Sequence, residues 1–132
     1  MSSSKSSRVL IVEDDPGGRE PLAVFLRRRG YSVDVASTVA AGHEKLQPDV
    51  THLILDLRLP DGPGIQLLER VHEENLPVKV AIVTGASSND LLTNAVMMHP
   101  DAFLRKPVDF GDLLAWLEGC VAADLHPLLS AD

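Results

Sequence analysis

The chain has 132 residues, of which 45% are hydrophobic and 23% charged, and its formal net charge is −7 at pH 7. This composition is typical of one soluble globular domain, and the negative charge argues against a nucleic-acid surface. No apolar run approaches the roughly 18 residues of a membrane span, the start of the chain has too few apolar residues for a signal peptide, and the single cysteine, Cys120, cannot form an internal disulfide. We therefore expect a cytoplasmic protein that contacts neither membrane nor nucleic acid.

After a Ser-rich segment of residues 1–7, which we expect to be disordered, short apolar runs alternate with longer segments of helical spacing. The apolar runs predict five strands, at Val9–Val12, Tyr31–Ala36, His52–Leu57, Val80–Val83 and Ala102–Leu104. The longer segments predict five helices, whose apolar positions are Leu22, Phe25 and Leu26; Val39, Ala40 and Leu46; Ile65, Leu68 and Val71; Leu91, Leu92, Ala95 and Met98; and Leu113, Leu114, Leu117 and Val121. This alternation predicts a doubly wound α/β fold, with a parallel sheet covered by helices on both faces.

The first predicted helix carries recognisable signals at its two ends. Asp15 followed by Pro16 suits an N-cap and the first helical position. Gly30, after the basic residues 27–29, suits the position just beyond a helix C-terminus. Because Pro21 would remove a hydrogen bond inside this helix, we expect the helix to start late or to kink there.

Polar residues stand at the ends of four predicted strands. Glu13 and Asp14 follow the first strand, Asp56 lies at the end of the third, Thr84 ends the fourth and Lys106 follows the fifth. The carboxyl ends of parallel strands lie along one edge of a sheet, where ligands bind. The sequence therefore predicts that carboxylates, a hydroxyl and an ammonium converge on one crevice.

These groups suit phosphoryl chemistry. Clustered carboxylates repel one another unless a cation joins them, and hard oxygen ligands favour Mg²⁺. An ammonium and a hydroxyl beside the metal would neutralise charge on a phosphoryl group. Asp56 is the candidate nucleophile because it ends a central strand, while its acidic neighbours come from another strand.

Four segments in chain order resemble the receiver domain of two-component response regulators: Val9-Leu-Ile-Val-Glu-Asp-Asp15, Leu55-Asp-Leu-Arg-Leu-Pro-Asp-Gly62, Val83-Thr-Gly85 and Phe103-Leu-Arg-Lys-Pro107. The resemblance runs from about Arg8 to about Ala123. It implies a flavodoxin-like fold with strand order 2-1-3-4-5, a receiver domain over residues 8–123, and a C-terminal tail or start of a linker over residues 124–132.

The resemblance also implies a role for each matching residue. Asp56 would be the phosphoacceptor, which takes the phosphoryl group of a phosphohistidine. Glu13, Asp14, Asp56 and the backbone carbonyl of Arg58 would hold Mg²⁺, Glu13 acting through water. Thr84 and Lys106 would bind the new phosphoryl group, Thr84 and Phe103 would form the switch, and the Lys106–Pro107 bond would be cis.

A receiver is a signalling module that phosphorylates and dephosphorylates itself and is not a turnover enzyme. The expected partners are a histidine kinase or a histidine phosphotransfer protein, an output domain or downstream protein on the face formed by helix 4, strand 5 and helix 5, and a second copy after phosphorylation. One alternative is a pseudo-receiver that binds partners without phosphorylation. Another is a Mg²⁺ phosphatase of the haloacid-dehalogenase type, whose second Asp is replaced here by Arg58.

Overall fold

A computed structural model describes residues 7–85 and 95–119 of the chain. Its centre is a sheet of five parallel strands: β1 (Arg8–Val12), β2 (Ser32–Ala36), β3 (His52–Leu55), β4 (Lys79–Thr84) and β5 (Ala102–Arg105). Their spatial order is β2-β1-β3-β4-β5, which confirms the predicted topology. The reversal of strand order places β1 and β3 side by side at the centre, where the two acidic strand ends meet.

Four helices have defined bounds: α1 (Pro16–Arg28), α2 (Val39–Lys45), α3 (Ile65–Glu73) and, after β5, α5 (Phe110–Leu117). Residues 95–97 are also helical and are labelled α4. The rest of the predicted fourth helix lies outside the described residues, as do Cys120, Val121 and the expected tails at residues 1–6 and 124–132. Within the described part of the chain, no helix has the length and apolar character that crossing a membrane requires.

The two faces of the sheet bury two separate apolar clusters. Along β1, Val9 and Ile11 face the cluster beneath α1 and α5, whereas Leu10 and Val12 face the cluster that includes residues of α2 and α3. All four side chains are at most 1% exposed. The strand therefore reads as one continuous apolar run, because side chains that alternate between faces are buried on both.

The start of α1 differs from the expectation of a late start. The helix begins at Pro16, with the Asp15 side chain accepting a hydrogen bond from the Gly17 N–H, and Pro21 lies inside it. A proline in a helix interior costs about 3 kcal/mol. Burial of Leu22 and Leu26 on the next turns contributes about 1.5–3 kcal/mol each, which offsets that cost.

Two strands are shorter than predicted, each for a local reason. Tyr31 lies in the turn that closes α1, because its N–H donates to the Leu26 carbonyl while the N–H of Gly30, at φ 97°, donates to the Arg27 carbonyl. β3 ends at Leu55 because the chain then turns into a small hairpin whose arms are Arg58–Leu59 and Gly62–Pro63. Leu57 nevertheless stays 1% exposed.

Candidate phosphoacceptor site

The structure brings the predicted polar residues together at the carboxyl edge of the sheet. A crevice there is lined by Asp14 after β1, Asp56 after β3, Thr84 at the end of β4 and Lys106 after β5. Arg58, on the first arm of the hairpin, completes its rim. Glu13 lies beside them, against both Asp56 and Lys106. Every residue predicted to bind a metal or a phosphoryl group is therefore found at this one edge.

Three carboxylates form the acidic part of the site. Oxygen atoms of Glu13, Asp14 and Asp56 all lie within 4.8 Å of one another. Glu13 is 7% exposed and Asp56 6% exposed, whereas Asp14 is exposed to solvent. Because buried carboxylates this close repel one another, the arrangement requires compensating positive charge.

Lys106 supplies part of that charge by bridging the two buried carboxylates. Its Nζ lies 2.8 Å from Asp56 Oδ2 and 2.5 Å from Glu13 Oε1. Burial tends to lower the pKa of Lys106, but its hydrogen bonds to Asp56 and Glu13 and their charges outweigh burial and raise it. Burial raises the pKa of Glu13 more than the Lys106 hydrogen bond lowers it, and the charge of Asp56 adds to the rise. One ammonium therefore does not fully offset the cost of the acidic pair.

Backbone groups hold the remaining oxygens of the two buried carboxylates. The Asp15 N–H donates to Glu13 Oε2 at 3.1 Å, and the Arg58 N–H donates to Asp56 Oδ1 at 3.1 Å. The Asp56 N–H itself donates to the Val12 carbonyl, which ties the phosphoacceptor candidate to β1. Asp56 is thus oriented from both sides of its carboxylate.

Residues without a predicted role also support the site. Nη1 of Arg19 donates to the Glu13 carbonyl at 3.0 Å, and Gly64 packs so tightly that an added Cβ would lie 1.9 Å from the Asp56 carbonyl oxygen. Asp61, at the tip of the hairpin, accepts hydrogen bonds from the N-terminus of α2. Nothing in the sequence around Asp61 indicated a partner more than 20 residues away.

The two predicted switch residues are both buried. Thr84 is 1% exposed, and Phe103 is 4% exposed within the cluster that also contains Ala95 of α4. The Lys106–Pro107 bond is cis. In this conformation Phe103 is a core residue that connects the site strand β5 to α4.

The donor set fits a magnesium ion. Mg²⁺ prefers oxygen ligands, is bound by one or two carboxylates and keeps several waters. The cluster offers one exposed carboxylate, Asp14, beside the buried pair of Glu13 and Asp56. The Lys106 ammonium bridges the carboxylates of Glu13 and Asp56. It therefore lies where the negative charge of this pair attracts a cation.

Known regulatory proteins are similar to this chain in sequence. The acid tolerance regulatory protein ActR of Rhizobium meliloti (strain 1021) is 34% identical over 110 residues, which are 83% of this chain and 57% of that protein. The transcriptional regulatory protein TrcR of Mycobacterium tuberculosis is 30% identical over 128 residues, or 95% of this chain and 49% of that protein. This chain thus spans about half the length of these relatives.

Solved structures give the same result. A response regulator receiver domain protein (CheY-like) from Methanospirillum hungatei JF-1 superposes with a TM-score of 0.79 at 32% identity, covering 86% of this chain and 91% of that one. The non-phosphorylated HemR receiver domain from Leptospira biflexa gives a TM-score of 0.77 at 28% identity, covering 88% and 94%. The profile of the response regulator receiver domain matches residues 9–118. The chain belongs to the family of response regulator receiver domains.

Proposed function

We propose that this receiver domain accepts a phosphoryl group on Asp56 from the phosphohistidine of a kinase or of a histidine phosphotransfer protein, in a Mg²⁺-dependent reaction. The observation that carries the proposal is the buried carboxylate of Asp56, held between the Lys106 ammonium and the Arg58 N–H beside a second acidic strand end. An oriented carboxylate at the floor of an open crevice is a suitable nucleophile.

In the proposed transfer, an oxygen of Asp56 attacks phosphorus and the P–N bond of the phosphohistidine breaks, its electron pair remaining on the imidazole nitrogen. Glu13, Asp14, Asp56 and the carbonyl of Arg58 would hold Mg²⁺, which would supply positive charge to the phosphoryl oxygens. Lys106, 2.8 Å from Asp56, is placed to pair with the phosphoryl group once it is attached. The Thr84 side chain, at the end of the adjacent strand, would donate a hydrogen bond to it.

The phosphoryl group of the product would carry about −1.5 to −2 charges at pH 7, in place of the single negative charge of the Asp56 carboxylate. Movement of Thr84 toward them would change the space beside Phe103, which packs in one cluster with Ala95 of α4. The face formed by α4, β5 and α5 would then present a new surface to an output domain, a downstream protein or a second copy. This chain spans only about half the length of its relatives. The output that the switch controls is therefore part of the proposal.

The site argues for signalling rather than turnover. A phosphatase of the haloacid-dehalogenase type needs a second Asp two residues after the nucleophile, and this position is the exposed Arg58. The proposal includes a receiver domain over residues 8–123, followed by a C-terminal tail or the start of a linker over residues 124–132.

The test is the intact mass of the protein after incubation with acetyl phosphate, with and without Mg²⁺. We expect a Mg²⁺-dependent gain of one phosphoryl group that Asp56→Asn abolishes and Asp34→Asn retains; Asp34 is a half-exposed acid in the Arg8 ion pair, away from the crevice. No gain in the wild-type protein, while a known receiver reacts in parallel, would refute phosphorylation and leave a binding module.

A further inference from the structure

The tip of the hairpin that follows Asp56 is hydrogen-bonded to the N-terminus of α2. Asp61 Oδ1 accepts a hydrogen bond from the Val39 N–H at 2.7 Å, and Oδ2 accepts one from the Ala40 N–H at 3.0 Å. These two amides are the first of α2, and the next is satisfied by Thr38, whose Oγ1 accepts from the Ala41 N–H at 3.0 Å. Asp61 thus caps a helix 21 to 22 residues away in sequence.

The base of the same hairpin is hydrogen-bonded to Asp56, the phosphoacceptor candidate. The Arg58 N–H donates to Asp56 Oδ1, and the Gly64 N–H donates to the Leu57 carbonyl at 2.8 Å. Leu59, on the first arm, is 9% exposed in the core cluster. The backbone of Arg58 therefore lies between two anchors, one at the base and one at the tip.

We propose that Asp61 is a positioning residue for magnesium binding. By fixing the tip of the hairpin on α2, it holds the Arg58 backbone in the orientation from which its carbonyl completes the cation site. Asp61 acts through the hairpin and is not itself a ligand. The inference rests on the proposed function, which makes the Arg58 carbonyl part of that site.

The direction of the pKa of Asp61 agrees with this anchoring. Hydrogen bonds from the backbone of Ala40 and Val39 lower the pKa of this carboxyl. The carboxylate therefore stays charged at neutral pH and suits the positive end of the helix.

Three variants separate positioning from helix capping and from charge. Asp61→Ala removes both hydrogen bonds, and Asp61→Asn keeps one acceptor oxygen but removes the negative charge. Thr38→Ala removes a cap of the same helix end without touching the hairpin. The readout is the Kd for Mg²⁺ alone, from backbone amide shifts during titration with MgCl₂, with no phosphoryl donor present.

Losing an outer partner of a metal ligand costs about 10–100-fold in affinity when that partner contacts the ligand. Asp61 acts one step further away, so we expect Asp61→Ala to raise the Kd by about 5–10-fold. Asp61→Asn should raise it by about 2–4-fold, and Thr38→Ala should leave it within about twofold. In acetyl phosphate reactions, Asp61→Ala should raise the half-saturating Mg²⁺ concentration while leaving the rate at saturating Mg²⁺ near that of the wild type.

Three results would overturn the inference. An unchanged Kd in Asp61→Ala would show that the anchor does not reach the site. Equal weakening by Asp61→Ala and Asp61→Asn would indicate lost charge, and equal weakening by Thr38→Ala would indicate loss of α2. A wild-type protein that binds Mg²⁺ without being phosphorylated would refute the proposed function, yet the titrations would still decide the role of Asp61.

Discussion

Lys106→Met is the most informative perturbation of the site. The methionine keeps an unbranched side chain of similar length but removes the ammonium that bridges Glu13 and Asp56. Two carboxylates whose side chains are 9% and 7% exposed would then lose their shared cation. We expect the variant to be less stable than the wild type in the absence of Mg²⁺, and we expect Mg²⁺ to reduce the difference.

The size of the effect follows from how deeply the bridge is buried. Removing one partner of a fully buried ion pair costs about 3–5 kcal/mol. The Lys106 side chain is 31% exposed, so solvent screens it, and we reduce the expected loss in the free energy of unfolding to about 1–2 kcal/mol. For a domain of this size the melting temperature should fall by about 3–10 °C.

Mg²⁺ should bind the variant more tightly than the wild type. The ammonium competes for the same carboxylates, and one like charge at such a distance is worth about 1–2 kcal/mol in a partly exposed site. Removing it should therefore lower the Kd for Mg²⁺ by about 5–30-fold. At saturating Mg²⁺ the gap in stability between variant and wild type should narrow accordingly.

The assay is urea unfolding at pH 7, with and without MgCl₂, followed by circular dichroism. The matched control is Lys79→Met, which makes the same chemical change at the exposed start of β4, the opposite end of the sheet; we expect a change within about 0.5 kcal/mol. A Lys106→Met protein as stable as the wild type without Mg²⁺ would refute the reasoning. So would a difference in stability that grows when Mg²⁺ is added.

Three further predictions concern stability. Burial, reinforced by the charge of Lys79, lowers the pKa of His52 from 6.5, so the unfolded chain takes up the proton first and stability falls as the pH drops below 6.5. His52→Gln should flatten that loss between about pH 8 and about pH 5 in urea titrations, and an unchanged slope would contradict the assignment to His52. Gly64→Ala should lower the free energy of unfolding by about 3 kcal/mol or more, because its Cβ would lie 1.9 Å from the Asp56 carbonyl oxygen. A urea midpoint equal to that of the wild type would contradict this, since it would mean that the hairpin shifts without cost. Gly18→Ala should raise the free energy of unfolding by about 0.4–1 kcal/mol, because α1 loses a glycine. The added Cβ has room, since its nearest neighbour, Glu13 Oε1, lies at a van der Waals distance of 3.5 Å. A lower thermal midpoint than that of the wild type would contradict this.

The sequence predicted the strands and the edge where the site lies because each depends on local pattern. β1 and β3 are buried on both faces and so are continuous in apolar residues, and the polar residues after them mark where the strands leave the core. In β2, Val33 and Val35 alternate with the polar residues Ser32 and Asp34, a pattern that suits its place at the edge of the sheet. These signals need only the chemistry of neighbouring residues.

Contacts between distant segments left no such signal. Lys106 pairs with both Glu13 and Asp56 because of the register in which β1, β3 and β5 end beside one another. The hydrogen bonds from α2 to Asp61 depend on the residue at which α2 begins. The sequence left open whether α1 starts after Pro21 or includes it, because the apolar contacts of the following turns outweigh a local rule. Tertiary packing determines these features, and a single sequence does not display it.

The charge of the site itself argues for a bound cation. Glu13, Asp14 and Asp56 contribute three negative charges when ionised and Lys106 one positive charge, which leaves two negative charges in the cluster. Burial, which raises the pKa of Glu13, makes this excess costly. A dication would balance it, and phosphorylation of Asp56 would then leave an excess of about one negative charge, since about two charges on the phosphoryl group replace the one on the carboxylate. We therefore expect Mg²⁺ to stabilise the free domain and its phosphorylated form, and the stabilisation of the free domain to be smaller in Asp56→Asn, which has one negative charge fewer. Equal stabilisation of the wild type and this variant by MgCl₂ would show that the cation binds elsewhere.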